Sequence, residues 1–104
     1  MHYVIYCEDA PDSLEKRRSV RPAHLQRLQA LKDSNRLIVA GPLLGDDNEN
    51  PAISGIKGSV IIAEFPNLED AKAWAAADPY VTHGVFETYE IRPWKWLVGT
   101  PENV

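Results

Sequence analysis

The sequence predicts one α+β domain with the element order β-α-β-β-α-β, and three observations carry that prediction. Stretches of strand length, rich in apolar and β-branched residues, recur at 3–7, 37–40, 60–65 and 85–92. Two segments with helical spacing, 22–34 and 68–77, fall between the first and second and between the third and fourth of these. Gly, Pro, Asn and Asp punctuate the joins. This is the order of a ferredoxin-like split βαβ fold, a four-stranded antiparallel sheet with two helices on one face.

The first strand, 3–7, ends at Glu8-Asp9-Ala10-Pro11-Asp12. Asp12 or Ser13 is placed to cap a short helical turn over 14–18. The main helix then starts at Pro22, whose fixed φ and missing N–H suit a first helical position. His24 falls in its first turn and shares a face with Leu28 and Leu31, so its imidazole points toward the sheet. The helix dipole there disfavours the protonated ring. Asn35 is the expected left-handed stop.

The second strand, 37–40, is expected to end at Gly41-Pro42, and a loop over 43–57 follows. That loop is long for a hairpin, and long loops in small domains are often functional. Gly58-Ser59 opens the third strand. The second helix buries Leu68, Ala71 and Ala75, carries Glu69 and Asp70 at its dipole-favourable end, and stops at Asp78-Pro79. Beyond the fourth strand, Pro93-Trp94-Lys95-Trp96-Leu97-Val98 reads as an apolar extension. The domain is therefore expected over 1–98, with 99–104 as a tail.

Composition narrows the function. Length suffices for one modest core, and the 44% hydrophobic and 25% charged content is that of a globular protein. A net charge of −4 with no Lys/Arg run argues against nucleic acid and anionic membranes as partners. No apolar run approaches the roughly 20 residues of a membrane span, and acidic residues at 8 and 9 interrupt any signal-like start. A lone Cys7 favours a reducing, cytoplasmic setting and a buried, inert thiol. His2, His24 and His83 lack metal-ligand spacing, so no metal is expected. No Gly-rich phosphate motif joins a strand to a helix, so no nucleotide cofactor is expected either.

The first three strands read as almost continuously apolar, which implies burial on both faces. With no sequence left to cover the second face, a homodimer through the sheet is expected, aided by Trp94 and Trp96. The topology also brings His24, Asp78, Gly41-Pro42 and Ser59 to one rim. A carboxylate beside an imidazole fixes its tautomer and stabilises the imidazolium formed when the other nitrogen takes a proton. His24 is thus the candidate base and Asp78 its orienting partner. Ser59, Gly41 and Pro42 are candidate substrate contacts, with Arg18, Arg21 and Tyr80 facing a developing enolate or carboxylate. The plainer reading makes His24 a core residue, Asp78 a helix stop, Tyr80 a packing residue, and Arg17, Arg18 and Arg21 a solvated face offsetting Glu8, Asp9 and Asp12.

Tyr3-Val4-Ile5-Tyr6, Asp12-Ser13-Leu14-Glu15-Lys16-Arg17, Arg21-Pro22-Ala23-His24-Leu25, Ala40-Gly41-Pro42, Gly58-Ser59 and Ala77-Asp78-Pro79-Tyr80 together resemble the YciI-like family of small dimeric α+β-barrel proteins. The match runs nearly to Lys95; residues after Trp96 lie outside it. The resemblance implies a ferredoxin-like fold, a dimer joined through the sheets, and a His–Asp site that carries over onto His24 and Asp78, with Ser59 nearby. Related dimeric barrels include muconolactone-isomerase-like proteins and dehydrochlorinases, which move protons without cofactors. Two expectations follow: a cofactor-independent lyase or isomerase acting on a small polar or aromatic-derived molecule, or a small-molecule-binding or structural dimeric module without catalysis.

Overall fold

The computed structural model describes residues 1–101, so the part of the expected tail from 102 to 104 lies outside the described residues. The order is β1 (His2–Asp9), α1 (Leu14–Asp33), β2 (Leu37–Leu44), α2 (Pro51–Ser54), β3 (Ile56–Glu64), α3 (Leu68–Ala76), α4 (Pro79–Thr82) and β4 (Phe86–Trp94). The sheet is antiparallel with strand order β2-β3-β1-β4. The α+β fold with a four-stranded sheet stands as the sequence predicts. No helix among the described residues is long and apolar enough to cross a membrane.

One face of the sheet makes the core. Tyr3, Ile5 and Cys7 of β1 pair with Ala63, Ile61 and Ser59 of β3, and all of them are buried on the helix side. Leu31 of α1, Ala71 and Ala75 of α3, and Phe65, Tyr80, Val85 and Phe86 close over them. The alternate strand positions, Val4, Tyr6, Val60, Ile62 and Val39, point the other way; Tyr6 is 44% and Val39 54% exposed. In the single chain the strands are thus buried on one face only, and the other face is an apolar surface.

Several boundaries differ from expectation. The short turn at 14–18 and the helix expected from Pro22 are one helix of 20 residues, with Pro22 in its interior. Pro22 is exposed, so its ring meets solvent, and the helix tolerates one missing N–H there because packing on both sides holds it. The inward stripe of α1 is Arg17, Val20, His24, Leu28 and Leu31. Its first member is a cation, so apolar periodicity alone begins too late. His24 consequently sits mid-helix, and the helix-end electrostatic argument does not apply to it. Ser13 occupies the cap position without a side-chain cap bond, and Asp12 takes a φ of 57°. Asn35 is the left-handed stop, at φ 60°.

β2 runs through Gly41-Pro42 to Leu44 instead of ending there, and β4 likewise runs through Pro93. Both are edge strands, where a residue without an N–H is tolerated on the side that has no neighbour. Within the expected loop, Asn50 caps the short helix α2 by accepting from the Ala52 N–H at 3.0 Å. Pre-proline geometry at Asp78 (ψ 134°) breaks the chain after α3 and starts α4 one residue later.

Candidate active site

His24 projects from the middle of α1 and is 5% exposed. Its Nδ1 lies 3.0 Å from Oδ1 and 2.9 Å from Oδ2 of Asp78, which is itself 2% exposed. A carboxylate offers no proton, so Nδ1–H donates, and in the neutral ring Nε2 carries the lone pair. Nε2 has no protein partner, yet among the described residues the sealed, unpartnered side-chain polar atom is Arg27 Nη1 and not this nitrogen. His24 lines a cleft, and Nε2 is the ring atom free to meet a ligand there. The ring stacks on Tyr80, with centroids 4.0 Å apart and planes 15° from parallel.

Asp78 is fixed by more than His24. Its Oδ1 accepts from the Tyr80 N–H at 2.8 Å, the cap of α4, and its Oδ2 lies 3.3 Å from Arg27 Nη1. Arg27 is one turn beyond His24 on α1. Its Nη2 donates to the Trp74 carbonyl at 2.7 Å, and its guanidinium lies 4.2 Å from the centre of the Trp74 ring. Burial lowers the proton affinity of Arg27 and the Asp78 carboxylate raises it again. The plainer role of Asp78 as a helix stop and its role beside His24 therefore coexist in one side chain.

A second buried network adjoins the first. Arg17 Nε and Nη2 reach the two oxygens of Asp9 at 2.9 and 3.2 Å, and Nη2 also donates to Gly58 O at 3.1 Å and Ser59 Oγ at 2.8 Å. Its guanidinium lies 4.6 Å from the centre of the Tyr80 ring. Arg17 is 7% exposed, which corrects the expectation that it belongs to a solvated face. Gly58 cannot be another residue here, because a Cβ would run into the Cys7 carbonyl across the ladder. Burial pushes the Tyr80 phenol above its ordinary range, with Arg17 and Arg21 pulling it partly back, so Tyr80 is neutral at physiological pH.

The cleft, about 520 Å³, runs between α1 and the β2–β3 edge of the sheet. His24, Ser59, Arg18, Arg21, Tyr80, Gly41 and Pro42 all line it, and Asp78 stands behind His24. Pro51 and Ala52 of α2 close part of its wall, which gives the long loop a place at the site. Sequence reasoning missed Arg27 and the buried role of Arg17. Arg17 carried a signal, its two-turn spacing from His24, which is in turn two turns from Leu31; Arg27 carried none. Burial pushes the Cys7 thiol up to about 12, with Asp78 and Asp9 adding to it, so it is no nucleophile at neutral pH. No cluster of three metal-ligating side chains occurs among the described residues.

The comparisons agree with this architecture. Residues 1–95 match the family model described as the YCII-related domain. Protein YciI of Escherichia coli O6:H1 is 57% identical over 95 residues, covering 91% of this chain and 97% of that protein. An uncharacterised protein of Haemophilus influenzae is 50% identical over the same shares. Among solved structures, the 5-chloro-2-hydroxyhydroquinone dehydrochlorinase TftG of Burkholderia phenoliruptrix AC1100, in complex with 2,5-dihydroxybenzoquinone, superimposes with a TM-score of 0.82. It is 30% identical, over 91% of this chain and 94% of that one. With the family model spanning most of its length and close relatives covered almost end to end, the chain belongs to the YCII-related family.

Proposed function

We propose that the cleft is the active site of a cofactor-independent enzyme of lyase or isomerase type that moves a proton on a small polar or aromatic-derived molecule. The observation that carries this reading is the buried His24–Asp78 pair, with Nδ1 held by both carboxylate oxygens on a ring that lines a cleft. Nε2 takes a proton from an acidic O–H or C–H of the substrate, and Asp78 stabilises the imidazolium. The electron pair left on the substrate either expels a leaving group or is reprotonated at another atom by the same imidazolium. Ser59 Oγ, held by Arg17, is placed to hydrogen-bond a substrate oxygen, and the Arg18 and Arg21 side chains favour negative charge. The dehydrochlorinase TftG supports this reading as a structural neighbour whose named reaction removes hydrogen chloride from a hydroxylated ring.

The same reading includes a homodimer joined through the exposed apolar face of the sheet, which leaves the cleft, on the helix side, open to small molecules. The test is turnover of a panel of hydroxylated aromatics that includes 5-chloro-2-hydroxyhydroquinone. At least one member is consumed by the wild-type protein, and His24→Ala lowers that rate by about 10²–10⁴-fold with unchanged circular dichroism. His24→Gln is the second variant should His24→Ala unfold. Absence of turnover across the panel, or full activity in a folded His24 variant, contradicts the enzyme reading and leaves a binding or structural module.

A further inference from the structure

We infer that the arginine-lined part of the cleft is a carboxylate subsite, where Arg18 and Arg21 clamp a permanent anion on a substrate whose apolar body lies along Leu25, Leu28 and Ile56. The inference rests on reading the cleft as the substrate site and specifies the substrate class. The whole chain is acidic, with 15 Asp and Glu against 11 Lys and Arg, yet the cleft lining holds three arginines and not one carboxylate. Arg17 is already neutralised by Asp9. Arg18 and Arg21 have neither an ion pair nor a side-chain hydrogen bond among the described residues.

Three residues apart on a helix, these two cations are neighbours, and like charges so placed repel when nothing lies between them. An anion bound between them removes that repulsion, and guanidinium groups match a carboxylate through paired N–H donors. The rest of the lining selects what carries the anion. Leu25 and Leu28 of α1 and Ile56 of β3 line the same cleft, so the body of the ligand is apolar. No glycine-rich turn supplies the backbone N–H cradle typical of a phosphate site. His24 lines the same cleft one helical turn beyond Arg21, so an anion held by the arginines directs the other end of a small molecule toward Nε2.

Titration calorimetry of the full chain with 2,5-dihydroxybenzoate and with its neutral counterpart, 2,5-dihydroxybenzamide, tests the subsite. The carboxylate is expected to bind at least ~10-fold more tightly, an advantage that shrinks as salt screens the charges and disappears in the Arg18→Gln/Arg21→Gln double variant. Both arginines are exposed, so that variant is expected to fold. Equal binding of acid and amide, failure of both to bind, discrimination surviving in the double variant, or displacement by equimolar inorganic phosphate each overturns the proposal. The same titration on His24→Ala separates the two claims. Discrimination that persists there, with no turnover found for the wild type, leaves the subsite standing without the enzyme. Discrimination absent from a wild type that does turn substrate over removes the subsite alone.

Discussion

Asp78 meets three groups at once: it accepts from the His24 ring and the Tyr80 backbone N–H, and it lies at ion-pair distance from Arg27. Two of these are cationic or able to become so, which is how a carboxylate exposed to only 2% avoids being left uncompensated in the interior. Arg17 and Asp9 solve the same problem beside it, and there the arithmetic of a buried pair gives a prediction. Arg17→Met leaves Asp9 buried without its partner and releases Ser59, and urea denaturation is expected to show a loss of about 3 kcal/mol or more; a loss under about 1 kcal/mol contradicts the pairing. Cys7 gives a second prediction. Its thiol ionises near 9 when unfolded and only at about 12 when folded, so the unfolded state sheds the proton first. The contribution of this thiol to stability is therefore full below pH 9 and falls by about 1.4 kcal/mol per pH unit from there to about pH 12. Cys7→Ala should flatten that alkaline slope, and an unchanged slope contradicts burial of the thiol. The His24–Asp78 pair was legible from the sequence because topology alone brings the two segments together. Arg27 was not, since nothing in a helical pattern marks which cation will fold back onto a carboxylate 51 residues further on.

At the scale of elements, α1 shows where sequence pattern and structure part. Its inward stripe begins with Arg17 and passes through His24 before reaching Leu28 and Leu31, so the half of the helix that builds the site lacks the apolar periodicity by which helices are recognised. Pro22 points the same way, because proline is common at a helix start and uncommon within one. It removes an N–H that Arg18 O would otherwise accept and crowds the preceding turn. Pro22→Ala is accordingly expected to stabilise the fold by roughly 1–3 kcal/mol, read as a raised thermal midpoint. A lowered midpoint would show that the ring is needed where it stands. The edge strands run past their expected ends for a related reason: Gly41-Pro42 and Pro93 are breakers in a central strand but acceptable in β2 and β4, and strand order is not written in local composition. Their continuation matters, since Gly41 and Pro42 line the cleft as strand residues with fixed positions.

For the molecule as a whole, the sheet divides two tasks. Its helix-covered face carries the core and the cleft, while the opposite face presents Val4, Tyr6, Val39, Val60 and Ile62 to solvent in the single chain. The Trp94 and Trp96 rings each meet His2 edge to face beside them, with centroids 6.2 Å and 5.8 Å from it, respectively. The proposed dimer covers this surface, in keeping with the continuous apolar character of the strands. Sedimentation is expected to find a dimer at low micromolar concentration and a folded monomer for Tyr6→Lys/Val39→Lys, both positions being exposed in the single chain. A wild-type monomer at that concentration contradicts the dimer. The proposed chemistry turns on the state of one ring, and ¹⁵N chemical shifts of the His24 imidazole read it directly. In the wild type the proton belongs on Nδ1 and Nε2 is bare. In Asp78→Asn the amide oxygen stays with the Tyr80 N–H, the amide NH₂ donates to Nδ1, and the proton is forced onto Nε2. A tautomer switch of that kind supports a base oriented by Asp78; a wild-type ring protonated on Nε2, or the same tautomer in both proteins, contradicts it.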